Sequence, residues 1–405
     1  MVPKLRFKEF CGEWDEKRLG DVYEFKNGLN KEKEFFGKGI PIVNYMDVNK
    51  NTHLYKNTIK GRVQLTKKEI ENYSAKKGDL FFTRTSETID EIGYTAVLLD
   101  DIEDAVFSGF ILRARPKNEL IDFKFSGYCF MTREVRKEII KKSSMTTRAL
   151  TSGTSLKQVV FYLPSLPEQT KIAHFLCTVD DKIQNQEDKI THLENIKKGF
   201  MQKIFSRKIR FKDEEGEEFP EWEEKRIKDI LKEVVEKTTI LDQYEVISST
   251  SNGIYTQKDY FNRDIASKNN IGYKVLKINQ IVLSPQNLWM GNINLNNRFE
   301  IGMVSPSYKV FDIVEGNNIN FVGYFLRTPK AFYEYKISSE QGASIVRRNL
   351  NMDLFNNIKI ILPCLKEQEK IADFLLSFDK KIDTEKETLE HLKQLKKGLL
   401  QQMFV

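Results

Sequence analysis

Several familiar chemistries lack their residues in this chain of 405 amino acids. Histidine occurs only four times (His53, His174, His192 and His391), so general-base catalysis of the common kind is poorly supplied. No G-x-x-x-x-G-K-[ST] loop is present, which excludes ATP hydrolysis through a P-loop, and no G-x-G-x-x-G follows a strand. The G-x-S-x-G elbow and H-E-x-x-H are also missing. No Pro-Pro dipeptide occurs, so the Asn/Asp-Pro-Pro-aromatic motif of amino-methyltransferases is absent. The four cysteines, Cys11, Cys129, Cys177 and Cys364, form no C-x-x-C pair and suggest no disulfide framework. No stretch approaches the roughly 20 apolar residues of a membrane span, and the start, MVPKLRFKEF, has no signal-type apolar run. The expectation is a cytoplasmic chain with no membrane partner, no metal site and no catalytic residues. A nuclease built on scattered carboxylates leaves a weak signature, so that alternative stays open at this point.

The formal charge of +7 and a pI near 8.9 permit a polyanionic partner without requiring one. The internal repeat is more informative. Residues 163–205 (LPSLPEQTKIAHFLCTVDDKIQNQEDKITHLENIKKGFMQKIF) align without a gap on 362–404 (LPCLKEQEKIADFLLSFDKKIDTEKETLEHLKQLKKGLLQQMF), and 20 of 43 positions are identical. A fainter pair joins Arg6–Val22 to Arg210–Ile230, with Trp14 on Trp222 and Lys17-Arg18 on Lys225-Arg226. The chain thus reads as variable block, long helix, variable block, long helix. The boundaries are 1–162, 163–206, 207–361 (with a linker over 207–222) and 362–405. The expected fold class is α+β, with a pseudo-two-fold internal repeat.

Leu163-Pro164 and Leu362-Pro363 end the strands before the helices, because the residue before proline is biased away from helix. Beyond them, apolar residues alternate four and three apart: Ile172, Leu176, Val179, Ile183, Ile190, Leu193, Phe200 and Ile204. The second copy gives Ile371, Leu375, Phe378, Ile382, Leu389, Leu392, Leu399 and Met403. Each seam is interrupted at matching places, Gln186 with Glu385 and Lys197 with Lys396. The pattern predicts two long helices paired as an antiparallel coiled coil. Matched residues off the seam (Glu168, Gln169, Asp180, His192 and Lys198, with Glu367, Gln368 and Lys397 among their counterparts) suggest a surface repeated for two copies of one partner. His192 and His391 lack a ligand cluster at zinc-site spacing, so they belong to the helix surface or its packing.

The blocks carry short β-type runs between turn signals, such as GDLFFTRTS (78–86), FILRARP (110–116) and YKVFDIV (308–314), which fits mixed α/β units with curved sheets. A short helix is expected after each of the matching pairs Gly127-Tyr128 and Gly323-Tyr324. DNA contact needs donors for phosphates and side chains that reach base edges. Segment 143–157 offers Thr146, Thr147, Arg148, Ser152, Thr154 and Lys157, and its counterpart 338–349 offers Gln341, Ser344, Arg347, Arg348 and Asn349. Thr83, Arg84 and Thr85 follow one strand, and Ser284, Gln286 and Asn287 follow the matching strand. Each could equally be a solvated loop residue. The phenylalanines fall mostly in β-type runs and read as core before stacking platforms.

Two blocks, each ending L-P-x-L-x-E-Q before a K-I-A-x-F-L…D-x-K-I…K-K-G helix, resemble the specificity subunits of type I restriction–modification systems. GDLFFTRT looks like that family's Gly-Asp strand, whereas the second block departs with Asn279-Gln280. The resemblance implies two target recognition domains, each reading half of a split, asymmetric site in double-stranded DNA. It implies helices that set the spacing and dock two methyltransferase subunits, with restriction/translocase subunits joining them. S-adenosylmethionine, ATP and magnesium would then belong to the partners. The rivals are a non-catalytic coiled-coil scaffold joining two protein-binding lobes, a single-chain nuclease or methyltransferase, and a subunit of a methylation-only system.

Overall fold

The computed structural model describes residues 1–257, 269–341 and 348–405, apart from the side chain of Gln341. The chain forms two compact units, Met1–Asp188 with Glu387–Val405, and Lys189–Lys386. The two long helices are Leu166–Phe205 and Leu365–Gln402, 40 and 38 residues, or about 60 Å each at 1.5 Å per residue. They do not stand apart as domains, since each contributes one half to each unit.

In the first unit a five-stranded sheet runs, in spatial order, Tyr23–Asn27, Ile111–Pro116, Leu80–Thr83, Thr95–Leu98 and His53–Leu54. The second unit has a four-stranded antiparallel sheet in the order Leu231–Val234, Lys309–Ile313, Ile281–Leu283 and Ile293–Leu295. In both units a two-stranded ribbon leads into the long helix. Asp15–Arg18 pairs with Val160–Leu163, and Glu223–Arg226 pairs with Lys359–Leu362. These ribbons seat Trp14 and Trp222 in the two cores and end at the predicted Leu-Pro steps. The helices expected after the Gly-Tyr pairs are Arg133–Lys141 and Pro329–Ile337, and the pairs themselves lie in a preceding short helix, Phe123–Cys129, capped by Asp122, or Ile319–Phe325, capped by Asn318.

Within each unit the helices pair antiparallel. In the first unit Asp180 meets Lys396 and Glu187 meets Lys393, so the partner number falls as the chain rises. In the second, Lys189 meets Glu385, Lys197 meets Asp379, and Phe200 packs on Phe374 and Phe378. The lysines that break the seam are thereby explained. Lys396 and Lys197 reach across to Asp180 and Asp379, so Asp180 serves the helix pair rather than the partner surface expected of it, and the lysines lie over the Tyr128 and Tyr324 rings at 5.5 and 4.7 Å. The first turns of each helix do more than pair. Ile172 and Leu176 belong to the core of the first block, together with Met403 and Phe404, and Ile371 and Leu375 join the second core with Ile204. Ile382 is buried mid-helix, whereas Ile183 is half-buried.

Glu168, Gln169, Glu367 and Gln368 correct the expectation of a partner-facing surface, because all four are buried. Glu168 accepts Arg6 Nε at 2.7 Å and Nη2 at 2.8 Å, and also the Trp14 indole N–H at 3.3 Å. Glu367 accepts Arg210 Nη2 at 2.9 Å and the Trp222 indole at 3.1 Å. Gln169 accepts the Asp122 amide and donates to the Leu120 and Pro164 carbonyls. Gln368 accepts the Asn318 amide and donates to the Pro363 carbonyl. A buried carboxylate needs a cation and further donors, and the repeated Arg–Trp pair supplies both. The duplication therefore preserves an internal fastening between block and helix. Lys198 and Lys397 are exposed and remain available to a partner.

Candidate nucleic-acid interface

The segments singled out in each block lie far apart in sequence, and the fold joins them. In the first unit Thr85–Ser86 pairs with Ala149–Leu150, which pairs with Ser144–Met145. The Arg84 amide donates to the Phe110 carbonyl at 3.0 Å, and the Arg84 carbonyl accepts the Thr151 amide at 3.0 Å. Thr146, Thr147 and Arg148 are exposed at the turn of this ribbon, with Arg84 and Thr85 half-buried beside it. Ser152, Thr154 and Lys157 are exposed on the next helix, Gly153–Lys157, where the Ser152 hydroxyl caps the Ser155 amide at 3.1 Å.

In the second unit the Arg348 amide donates to the Gln286 carbonyl at 3.3 Å, so the 284–287 and 338–349 segments also meet. Gln286 and Asn349 are exposed, and Asn287 is half-buried. The Arg348 guanidinium is committed internally. It donates to the Lys336 and Ser339 carbonyls, both at 3.3 Å, and lies 5.5 Å from the Trp289 ring centroid. Ser344, Arg347 and the side chain of Gln341 lie outside the described residues.

Thr83 and Ser284 do not reach a ligand. Both are buried at the ends of matching strands, and the Thr83 hydroxyl accepts the Tyr94 amide at 2.9 Å. Both strands are buried along their whole length, and the Thr83 hydroxyl is tied there to the backbone of the next loop. Sequence reasoning also passed over Phe110, which is 62% exposed on the turn beside Arg84. The signal was its place at the start of a strand after Gly109, where a side chain is not obliged to face inward.

The first ribbon is underpinned by Arg136. Its guanidinium donates to the Asp90 carbonyl at 2.9 Å and sits 4.7 Å from the Tyr94 ring centroid. Burial pushes its pKa down to about 10, which leaves it charged at neutral pH. Among the described residues no group of three or more His, Cys, Asp or Glu side chains could hold a metal ion.

An exposed polar face on each repeated block, with hydroxyls and a guanidinium in the first and side-chain amides in the second, calls for comparison with DNA-reading proteins. The sequence signature of the type I restriction modification DNA specificity domain matches residues 12–195 and again 220–394. The chain belongs to that family. The type I restriction enzyme MjaX specificity subunit assigned in Methanocaldococcus jannaschii is 26% identical over 419 residues, covering 98% of this chain and 94% of that protein. The fold is shared with the crystal structure of a type I restriction–modification S subunit from M. genitalium (TM-score 0.54, 16% identity, 100% and 99% of the two chains). It is shared too with a chain from a structural study of complex assembly and conformational transition in the type I system (TM-score 0.57, 14% identity, 98% of both chains). The specificity subunit is thus a DNA-recognition component rather than an enzyme, and the scaffold and single-chain-enzyme readings fall. Its two specificity domains fit recognition of a site in two parts. No helix among the described residues is long and apolar enough to cross a membrane.

Proposed function

We propose that each block of this specificity subunit reads one half of a split DNA site, and that the antiparallel helices fix the distance between the halves. The observation that carries this is the convergence, in both units, of two donor-bearing segments about 60 residues apart in the chain, at Thr85 with Leu150 and at Gln286 with Arg348. Backbone pairing holds the loops at a set spacing, as recognition of base edges requires. The blocks present different residues, Thr-Thr-Arg in one and Gln and Asn in the other, so the half-sites differ and the whole site is not a palindrome.

The helices dock two methyltransferase subunits, with exposed Lys198 and Lys397 on the repeated surface, and restriction/translocase subunits complete the complex. S-adenosylmethionine, ATP and magnesium are bound by those partners, and the assembly works in the cytoplasm. Single-molecule sequencing of methylated adenines in the host genome, with and without this gene, tests the reading. Loss of one bipartite, asymmetric motif on deletion is the expected result. An unchanged methylome, or loss of a palindrome, overturns it.

A further inference from the structure

The face of the first block carries one group that phosphate contact and polar base readout do not use. Phe110 is 62% exposed, and Met145 and Leu150 on the same ribbon system are 50% and 42% exposed. An isolated exposed apolar residue is ordinary. Phe110 differs because of how it is held. Its carbonyl accepts the Arg84 amide, whose own carbonyl accepts the Thr151 amide, so it extends the backbone network that positions the candidate reading residues. The preceding residue must be glycine, since a Cβ at Gly109 would overlap Asn30 Oδ1 and crowd the Leu29 carbonyl at 2.9 Å. The Phe110 amide lies 3.4 Å from the Ser108 hydroxyl oxygen, and Ile111, next along, is fully buried in the sheet. The ring is thus mounted on a fixed turn at the mouth of the sheet and left outside the core.

We infer that Phe110 is a specificity-determining residue of the first half-site, its ring packing against the 5-methyl group of a thymine in the major groove. This rests on the reading of that face as the DNA interface. Duplex DNA offers a side chain few apolar surfaces while its bases stay paired, and in the major groove the thymine methyl is the one that distinguishes a base pair. Insertion between bases would cost a few kcal/mol of unstacking per step, whereas methyl contact needs only the exposed ring already present. The exposed Met145 and Leu150 and the guanidinium of Arg148 suit the same groove, one apolar and one polar contact to neighbouring pairs. The position equivalent to Phe110 in the second unit, set by the pairing of Leu283 with Lys309 as Phe82 pairs with Leu112, is Ser307. The apolar contact therefore belongs to one half-site only.

The test uses the full chain assembled with its partner subunits and duplexes carrying the methylated motif. Thymines of the first half-site are replaced one at a time by deoxyuridine, which removes only the methyl group. Wild type is expected to bind about four-fold more weakly at one such position, the size of one buried methyl group. Phe110→Ala should bind the thymine duplex more weakly and lose all sensitivity at that position, while single-base changes in the second half-site keep their wild-type effect. Sensitivity to uracil that persists in Phe110→Ala, or a first half-site without a responsive thymine, overturns the inference. So does a Phe110→Ala chain that fails to assemble with its partners but binds DNA normally, which would make the ring a protein contact. The double substitution Arg84→Ala/Arg148→Ala separates the two levels. If it alters neither half-site, the interface itself is misplaced. If it alters one half-site and Phe110→Ala leaves uracil sensitivity intact, only the role of Phe110 fails.

Discussion

Tyr128 donates its hydroxyl to Asp180 at 2.7 Å, and 196 residues later Tyr324 donates to Asp379 at 2.5 Å. In each case the tyrosine comes from the short helix of a block and the aspartate from a long helix, while a lysine of the other long helix completes the group. Burial, reinforced by the neighbouring aspartate, pushes both phenols well above their ordinary range, so they remain protonated donors. Tyr128→Phe should lower the stability of the first unit by about 1–2 kcal/mol, toward the low end for a bond to a charged group because Asp180 keeps some water. Chemical denaturation monitored within the first block checks it. Equal loss in the second block would show that the group does not act locally.

Glu168→Ala should be more damaging, at about 3 kcal/mol or more, because it strips the largely buried Arg6 and the Trp14 indole of their common acceptor. Glu367→Ala should do the same to the second unit through Arg210 and Trp222. Thermal unfolding reads the loss. Variants that keep wild-type stability yet lose a partner subunit would restore the partner-surface role that the burial denies.

A charge placed mid-helix should discriminate the two copies. Ile382 is buried and Ile183 only half-buried, so Ile382→Asp is expected to cost about 3 kcal/mol and Ile183→Asp roughly half as much. Parallel urea titrations of the two variants settle the order.

Arg148→Ala should weaken one half-site by about 1–3 kcal/mol if the guanidinium reads a base, leaving stability unchanged because the residue is exposed at a turn. Arg348→Ala should instead lower the stability of the second unit, because its guanidinium serves two carbonyls and Trp289. Binding and melting measured side by side separate these outcomes.

His53 gives the first unit an acid-sensitive component. Its Nε2 donates to the Lys124 carbonyl at 2.9 Å, which fixes the tautomer and leaves Nδ1 facing the Thr52 hydroxyl at 3.0 Å. Burial lowers its pKa, against the smaller opposing pulls of that bond and of Asp180. With the folded value below the unfolded one, the unfolded chain binds the proton first. Stability is then full above about pH 6.5 and falls as the pH drops toward the folded pKa. His53→Gln should flatten that slope, and a slope that persists would place its origin in other groups.

The duplication, the strand ends at Leu-Pro and the long paired helices were legible because they rest on periodicity and local sterics. The second block's departure, Asn279-Gln280 for Gly78-Asp79, hid a real equivalence. Gly78 and Asn279 both take positive φ, 85° and 68°, a conformation asparagine tolerates better than most residues. Asp79 and Gln280 accept the amides of Lys76 and Lys277 alike. Beyond that the chemistry is exchanged, since Asp79 binds Arg115 whereas Gln280 donates to Asp312. Pairwise identity cannot register such a swap. The roles of Tyr128, Glu168 and Phe110 were not legible for a different reason. Each depends on partners 26 to 162 residues away, and no local pattern encodes them.

The fastening of block to helix has a consequence for inheritance. Arginine, tryptophan and tyrosine come from the block, and glutamate, aspartate and lysine come from the helices, in the same arrangement twice. A recombination that exchanged the chain between one Leu-Pro step and the preceding Arg–Trp segment would bring in new loops with the correct plug for the old socket. A lineage could thus acquire a new target sequence in one genetic event, without first evolving a new way to hold its reader.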